Sequence, residues 1–142
     1  MFKQSYKSKR CLVPINGFFE WKDIFGTGKN KKPYAIAMKS GEPFALAGIW
    51  SSRRDPDIGL DRKTFAIITC EVMAAIHDRI PVILHRQDYE RWLSPEHDPY
   101  HLMSPFPSEL MTIWPIGKDV GSPKNDRPDI IDPIEDPEPP LL

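Results

Sequence analysis

The residues best suited to chemistry gather in one short run. Ala75-Ile76-His77-Asp78-Arg79-Ile80-Pro81-Val82-Ile83-Leu84 sets an imidazole, a carboxylate and a guanidinium side by side, then continues as an apolar strand. Pro81 donates no backbone N–H and holds the preceding residue toward extended geometry. The polar trio therefore belongs on a loop held by the strand that follows, a common placement for reactive groups. An imidazole there can move protons near neutral pH, and a guanidinium suits an anion. The plainer reading of the same residues is a capped loop whose His–Asp–Arg trio satisfies only local hydrogen bonds.

A second stretch, Phe18-Phe19-Glu20-Trp21, reads as a strand with Glu20 on the face opposite Phe19 and Trp21. A carboxylate among three aromatics is costly to bury unless it is paired or its pKa is raised. Such a setting suits a general acid or base. A strand-edge glutamate facing water is the alternative.

The surrounding elements are short. Phe2 and Tyr6, four apart, predict a short amphipathic helix at the start. Cys11-Leu12-Val13 reads as a buried strand, and Pro14-Ile15-Asn16-Gly17 as a turn marked by Asn-Gly. Gly26 to Lys32 reads as a basic hairpin loop, followed by strands over Tyr34–Met38 and Phe44–Trp50. Arg53 to Lys63 reads as a polar loop, Phe65–Cys70 as a buried strand, and Glu71–Ala75 as one helical turn. Tyr89, Trp92 and Leu93 share a helical face, and Leu110–Ile116 is a last strand. Beyond Pro128 the Asp-Pro and Glu-Pro-Pro run reads as a disordered acidic tail, so residues 1–127 are read as the domain and 128–142 as the tail.

Composition narrows the function classes. The 142 residues suffice for one domain with a core. No apolar run approaches the ~20 residues that span a bilayer, and no signal peptide opens the chain, so the expected location is cytoplasmic. Cys11 and Cys70 make neither a disulfide framework nor a metal pair, and the four histidines show no ligand spacing with them. The net charge of −1 conceals an asymmetry: residues 1–32 carry eight basic groups against Glu20 and Asp23, while six acids and one base follow from Asp126. A basic body suits an anionic partner such as a nucleic acid, although a solvated lysine-rich face explains the charge equally well.

Taken together, two stretches resemble the signature segments of the SOS response-associated peptidase (SRAP) family: Arg10-Cys11-Leu12-Val13-Pro14-Ile15-Asn16-Gly17-Phe18-Phe19-Glu20-Trp21, and Ile76 through Leu84. Pro43-Phe44-Ala45, Ala47-Gly48-Ile49-Trp50, Trp92-Leu93 and Ser122-Pro123-Lys124-Asn125-Asp126 extend the likeness in order. The resemblance implies an α+β, mainly β domain with short helices. It implies single-stranded DNA containing abasic sites as partner, with no cofactor, no metal and no membrane. Family members capture the ring-opened sugar aldehyde through an N-terminal cysteine, forming a thiazolidine crosslink. By position, Glu20 matches the family's acid/base near the sugar and His77 its proton-transfer histidine. Arg79 matches a DNA-phosphate contact, and Thr69 a residue of the same groove.

Departures from the family pattern shape the expectation. The match begins about a third of the way into the family's domain, and Met1-Phe2 offers an α-amine without the thiol. The stretch between Thr69 and His77 is shorter than the family's, and Asn16 stands where an acid is commoner. A domain incomplete at its N-terminus would expose an unpaired sheet edge and apolar surface, favouring self-association. An abasic-site DNA-binding protein whose catalytic shell survives in part, with crosslinking dependent on the family's N-terminal segment, a non-catalytic remnant that binds single-stranded DNA weakly or only packs as a fragment, and a thiol peptidase pairing Cys70 with His77 are the competing readings. The last is the weakest, because Cys70 sits in an apolar run.

Overall fold

The structure, a computed structural model, describes residues 2–23, 31–71 and 79–135. It forms two compact units, Met1–Ile15 with Phe44–Phe106, and Asn16–Pro43 with Pro107–Leu142. The mainly β, α+β class predicted from the sequence is the class observed.

The first unit is built on helix α1 (Phe2–Ser8), strands β1 (Arg10–Ile15), β4 (Phe44–Arg54) and β5 (Asp61–Ile67), the short strands β6 (Thr69–Cys70), β7 (Ile80–Pro81) and β8 (Ile83–Leu84), and helix α2 (Tyr89–Leu93). One antiparallel sheet runs in the order β1-β4-β5, with β8 also on β4, and β6 pairs with β7. The second unit is a three-stranded antiparallel sheet of β2 (Phe18–Asp23), β3 (Lys31–Met38) and β9 (Met111–Pro115), in the order β2-β3-β9.

The first unit's core gathers Ala47, Cys70, Val82, Leu84 and Trp92, with Tyr6, Leu12 and Ile68 packed against them. Trp92 is 0% exposed, and its indole N–H donates to the Cys11 carbonyl at 2.9 Å. That bond answers the polar handle of a ring otherwise surrounded by apolar atoms. Arg10, 9% exposed, lies in the same region and donates to the carbonyls of Trp92 and Tyr6 (both 2.5 Å) and of Ser94. Its guanidinium also sits 5.6 Å from the Tyr6 ring and 5.7 Å from the Trp92 ring. Helix α1 is thus tied to the sheet through Tyr6, whose hydroxyl donates to Asp98 at 2.5 Å.

Several sequence expectations change. The polar loop read over Arg53–Lys63 is shorter than that, with strand at both ends: β4 continues to Arg54 and β5 starts at Asp61. Ser51 faces Thr64 (hydroxyls 3.1 Å apart), Ser52 faces Lys63, and Arg54 faces Asp61. Both faces of that ribbon are wet, so no apolar alternation betrays the strands. The turn is closed by Asp55, whose side chain accepts from the Asp57 N–H and pairs with Arg62 at 2.6 Å, while Gly59 takes φ +67°. The strand read as buried over Phe65–Cys70 is not uniformly so: Phe65 is 63% and Ile67 41% exposed, because β5 ends its sheet among the described residues. The tail read from residue 128 is ordered through Glu135. Pro128–Ile131 forms a 3-10 turn, Trp114 Nε1 donates to the Ile131 carbonyl at 2.7 Å, and Ile134 N–H donates to Pro115 at 3.0 Å. Its own side chains are largely exposed, as composition suggests, and its backbone, bonded by the Trp114 indole and paired beside β9, holds it instead. The Gly26–Lys32 loop reading keeps only its end in view, where Lys31 and Lys32 open β3. The helical turn at Glu71–Ala75 lies, Glu71 apart, outside the described residues.

Two outcomes test this packing. Replacing Trp92 by alanine removes a fully buried ring and should cost about 3–5 kcal/mol, read as a lowered urea midpoint. The Tyr6 hydroxyl is pushed up from 10.0 to about 12 by burial and by its bond to Asp98. A phenol that holds its proton more tightly when folded leaves stability whole below pH 10 and erodes it as pH rises toward 12. The urea midpoint should therefore fall more steeply over that window in the native chain than in Tyr6→Phe.

Candidate nucleic-acid interface

The loop predicted to carry chemistry is closed at its base by a short ladder. Thr69 opposes Pro81 and Cys70 opposes Ile80 in the β6–β7 pair. Just below, Ile68 N–H donates to the Ala47 carbonyl, Ala47 N–H to Val82, and Val82 N–H to Ile68, each at 2.9 Å. Ala47 and Val82 are 0% exposed, so these bonds form in the driest part of the unit. Pro81, which removed a donor from the sequence pattern, sits where the ladder does not require one from it.

Arg79 emerges at this base, exposed, and is fixed in two places by one residue. Its Nε donates to Thr69 Oγ1 at 2.7 Å and one Nη donates to the Thr69 carbonyl at 3.1 Å. A guanidinium carries five N–H donors in a planar fork. Among the described residues Arg79 makes no further hydrogen bond, so three donors remain for an anion. The sequence paired Thr69 with Arg79 through a shared groove, and the structure brings them into direct contact. His77 and Asp78 lie outside the described residues.

Glu20 stands on β2 in the second unit, opposite Tyr34 of β3. It is half-buried while Phe19, on the other face, is 38% exposed, so the alternation places the carboxylate on the better-covered side. Lys22, two residues on and on that same face, was passed over in the sequence. Its ammonium lies 5.2 Å from the ring of Tyr34, which is buried, and burial lowers its pKa. A basic residue at i+2 from an acid on an aromatic strand was the available signal.

Both thiols are free, and burial pushes both upward. For Cys70 the charge of Arg79 acts in the opposite sense, so a cationic neighbour exists that the apolar run concealed, yet burial prevails. A raised thiol is a poor nucleophile at neutral pH, which disfavours the peptidase reading through Cys70. Among the described residues no three of His, Cys, Asp and Glu gather as a metal site, and no helix is long and apolar enough to cross a membrane.

Among the described residues Arg79 is braced by Thr69 and has no carboxylate partner, which makes it a candidate anion contact on a mainly β scaffold. The chain belongs to the SOS response associated peptidase (SRAP) family, whose model matches residues 1–123. It is 38% identical to the abasic site processing protein YoqW of Bacillus subtilis over 138 residues, covering 92% of this chain and 60% of that protein. It is 36% identical to the abasic site processing protein YoaM of the same organism, again with 92% and 60% covered. A crystal structure of a protein from Bacteroides thetaiotaomicron matches with TM-score 0.80 and 34% identity, over 94% of this chain and 60% of that one. The chain thus spans about 60% of the length of these relatives.

The Arg79–Cys70 coupling gives a direct check. Cys70 should react with iodoacetamide at neutral pH more slowly than a free thiol. Arg79→Ala should slow it further, since removing the positive charge lifts the thiol pKa. Faster labelling in that variant would contradict the charge effect.

Proposed function

We propose that this chain binds abasic sites in single-stranded DNA and takes part in imine chemistry at the exposed sugar aldehyde. The observation that carries this reading is Arg79, held by both the hydroxyl and the carbonyl of Thr69 and left with outward donors for a phosphate. The names of the relatives agree in substrate, since YoqW and YoaM are abasic site processing proteins. In this reading Arg79 fixes the backbone beside the lesion. His77, two residues away in the chain, and Glu20 move protons as an amine condenses with the aldehyde and water leaves. A hydroxide leaving group and an incoming amine proton both need such a carrier near neutral pH. The family's stable crosslink requires a thiol and an α-amine on one residue, which neither Cys11 nor Cys70 provides within a strand. Such a protein would work in the cytoplasm, on nucleoid DNA.

Gel shift with an abasic single strand, followed by borohydride, tests binding and chemistry separately. Arg79→Ala should weaken binding alike for all sequences and lower the salt slope by about 0.7, the value for one phosphate on a single strand. The borohydride-trapped adduct should disappear when Glu20 and His77 are both alanine, with binding retained. Binding with no trapped adduct from the native chain would identify a non-catalytic remnant. An affinity indifferent to salt would remove Arg79 from the interface.

A further inference from the structure

Phe65 occupies an unusual place for a large aromatic. It is 63% exposed on the terminal strand of its sheet, within a row of side chains that crosses three strands. Arg10 faces Ile49 and Trp50 faces Phe65 in the registers of β1, β4 and β5. Trp50 N–H donates to the Lys9 carbonyl at 2.8 Å, which extends the β1–β4 pairing by one residue and sets Lys9 opposite Trp50. Opposed residues share a face, so Lys9, Trp50 and Phe65 form one transverse row. The Lys9 ammonium lies 5.2 Å from the Trp50 ring, and that of Lys63, two residues before Phe65, lies 6.0 Å from it. Neither ammonium has a carboxylate partner among the described residues.

The same face continues along the chain to Arg79. Lys63, Phe65 and Ile67 alternate onto it, while Ile68 turns into the core. Thr69 follows on the Ile67 side and receives Arg79. Within β5, Lys63 to Ile67 spans about 13 Å at the rise of a strand, and Thr69 follows two residues on. Cations at Lys9 and Lys63 flank an aromatic pair, Arg79 stands at the far end, and Ile67 lies between. An open aromatic ring, here Phe65, flanked by cations suits an unpaired nucleic-acid strand, a base stacking on the ring and phosphates meeting ammonium groups.

We propose that this β4–β5 face is a track for single-stranded nucleic acid leading away from the Thr69–Arg79 contact, with Phe65 as its stacking residue and Lys9 and Lys63 as its phosphate contacts. It rests on the abasic-site reading for its partner class, and it adds length: nucleotides flanking the lesion contribute to binding through this face. The basic character of the ribbon favours a polyanion over a second copy of the chain, which would bring lysines against lysines.

The test uses fluorescein-labelled oligothymidylates of about 5 and about 15 nucleotides, bracketing common site sizes, each with and without a central tetrahydrofuran abasic analogue. The native 142-residue chain should bind the longer strand more tightly than the shorter, whether or not the lesion is present. Phe65→Ala should cut the gain from length about tenfold, with Phe65→Tyr restoring it. Lys63→Ser should lower the salt slope on the longer strand by about 0.7 and leave the shorter unchanged. Circular dichroism of each variant confirms folding, and Phe65→Tyr guards against a fold defect. Length-dependent binding that ignores the lesion would support the track and reject the abasic-site reading. Lesion-dependent binding with no effect of Phe65→Ala or Lys63→Ser on length would do the reverse. Sedimentation showing a dimer that Phe65→Ala converts to monomer would overturn the track in favour of a second copy.

Discussion

Everything the first unit positions depends on a triangle of backbone hydrogen bonds. Ala47, Ile68 and Val82, far apart in the chain, each donate to the next at 2.9 Å where two of the three are 0% exposed. Buried amides left unpaired would each cost about 1–3 kcal/mol, so the three segments cannot slide independently. The consequence reaches the surface. The Thr69–Cys70 and Ile80–Pro81 ladder sits directly above the triangle. Arg79, next to Ile80 of that ladder, is held across it by the hydroxyl and the carbonyl of Thr69.

Arg10 serves the same scaffold in an unusual way. A buried cation normally demands a carboxylate, yet its recorded hydrogen bonds go to carbonyl oxygens of Tyr6, Lys7, Trp92 and Ser94, with two aromatic rings alongside. Those carbonyls belong to the ends of α1 and α2, where helices leave acceptors unsatisfied and partial negative charge accumulates. One side chain therefore joins both helices to β1. Lysine, a single-point donor, could not span those acceptors.

The charge pattern separates two kinds of cation. Arg10 is used inside the fold, and Arg62 is matched by Asp55 at the ribbon turn. Among the described residues, Arg79, Lys9 and Lys63 are held in place by neutral groups, a hydroxyl, a carbonyl and an indole, which orient a cation without cancelling it. Oriented but uncancelled charge is a favourable starting point for meeting phosphate, because little ordering remains to be done on contact.

The sequence by itself determined the elements with strong local signals. Phe2 and Tyr6 marked α1, Tyr34–Met38 lies in β3, and Val82-Ile83-Leu84 reads as the buried stem it is. The paired signature segments determined the family. Local periodicity did not reveal the β4–β5 ribbon, since strands wet on both faces carry no apolar alternation. It also misread Phe65 and Ile67, because apolar type reports a tendency to be covered, whereas coverage depends on which strand comes next in the sheet. The docking of Pro128–Glu135 on β9 escaped notice for a related reason: one indole and backbone hydrogen bonds hold it, and the segment itself supplies only carbonyls and amides, which any sequence has. Only the tertiary structure decided that Thr69 bonds Arg79 directly and that Lys9, Trp50 and Phe65 share one row. Those contacts come from strand register, and register is fixed by pairing between segments that the linear chain keeps apart.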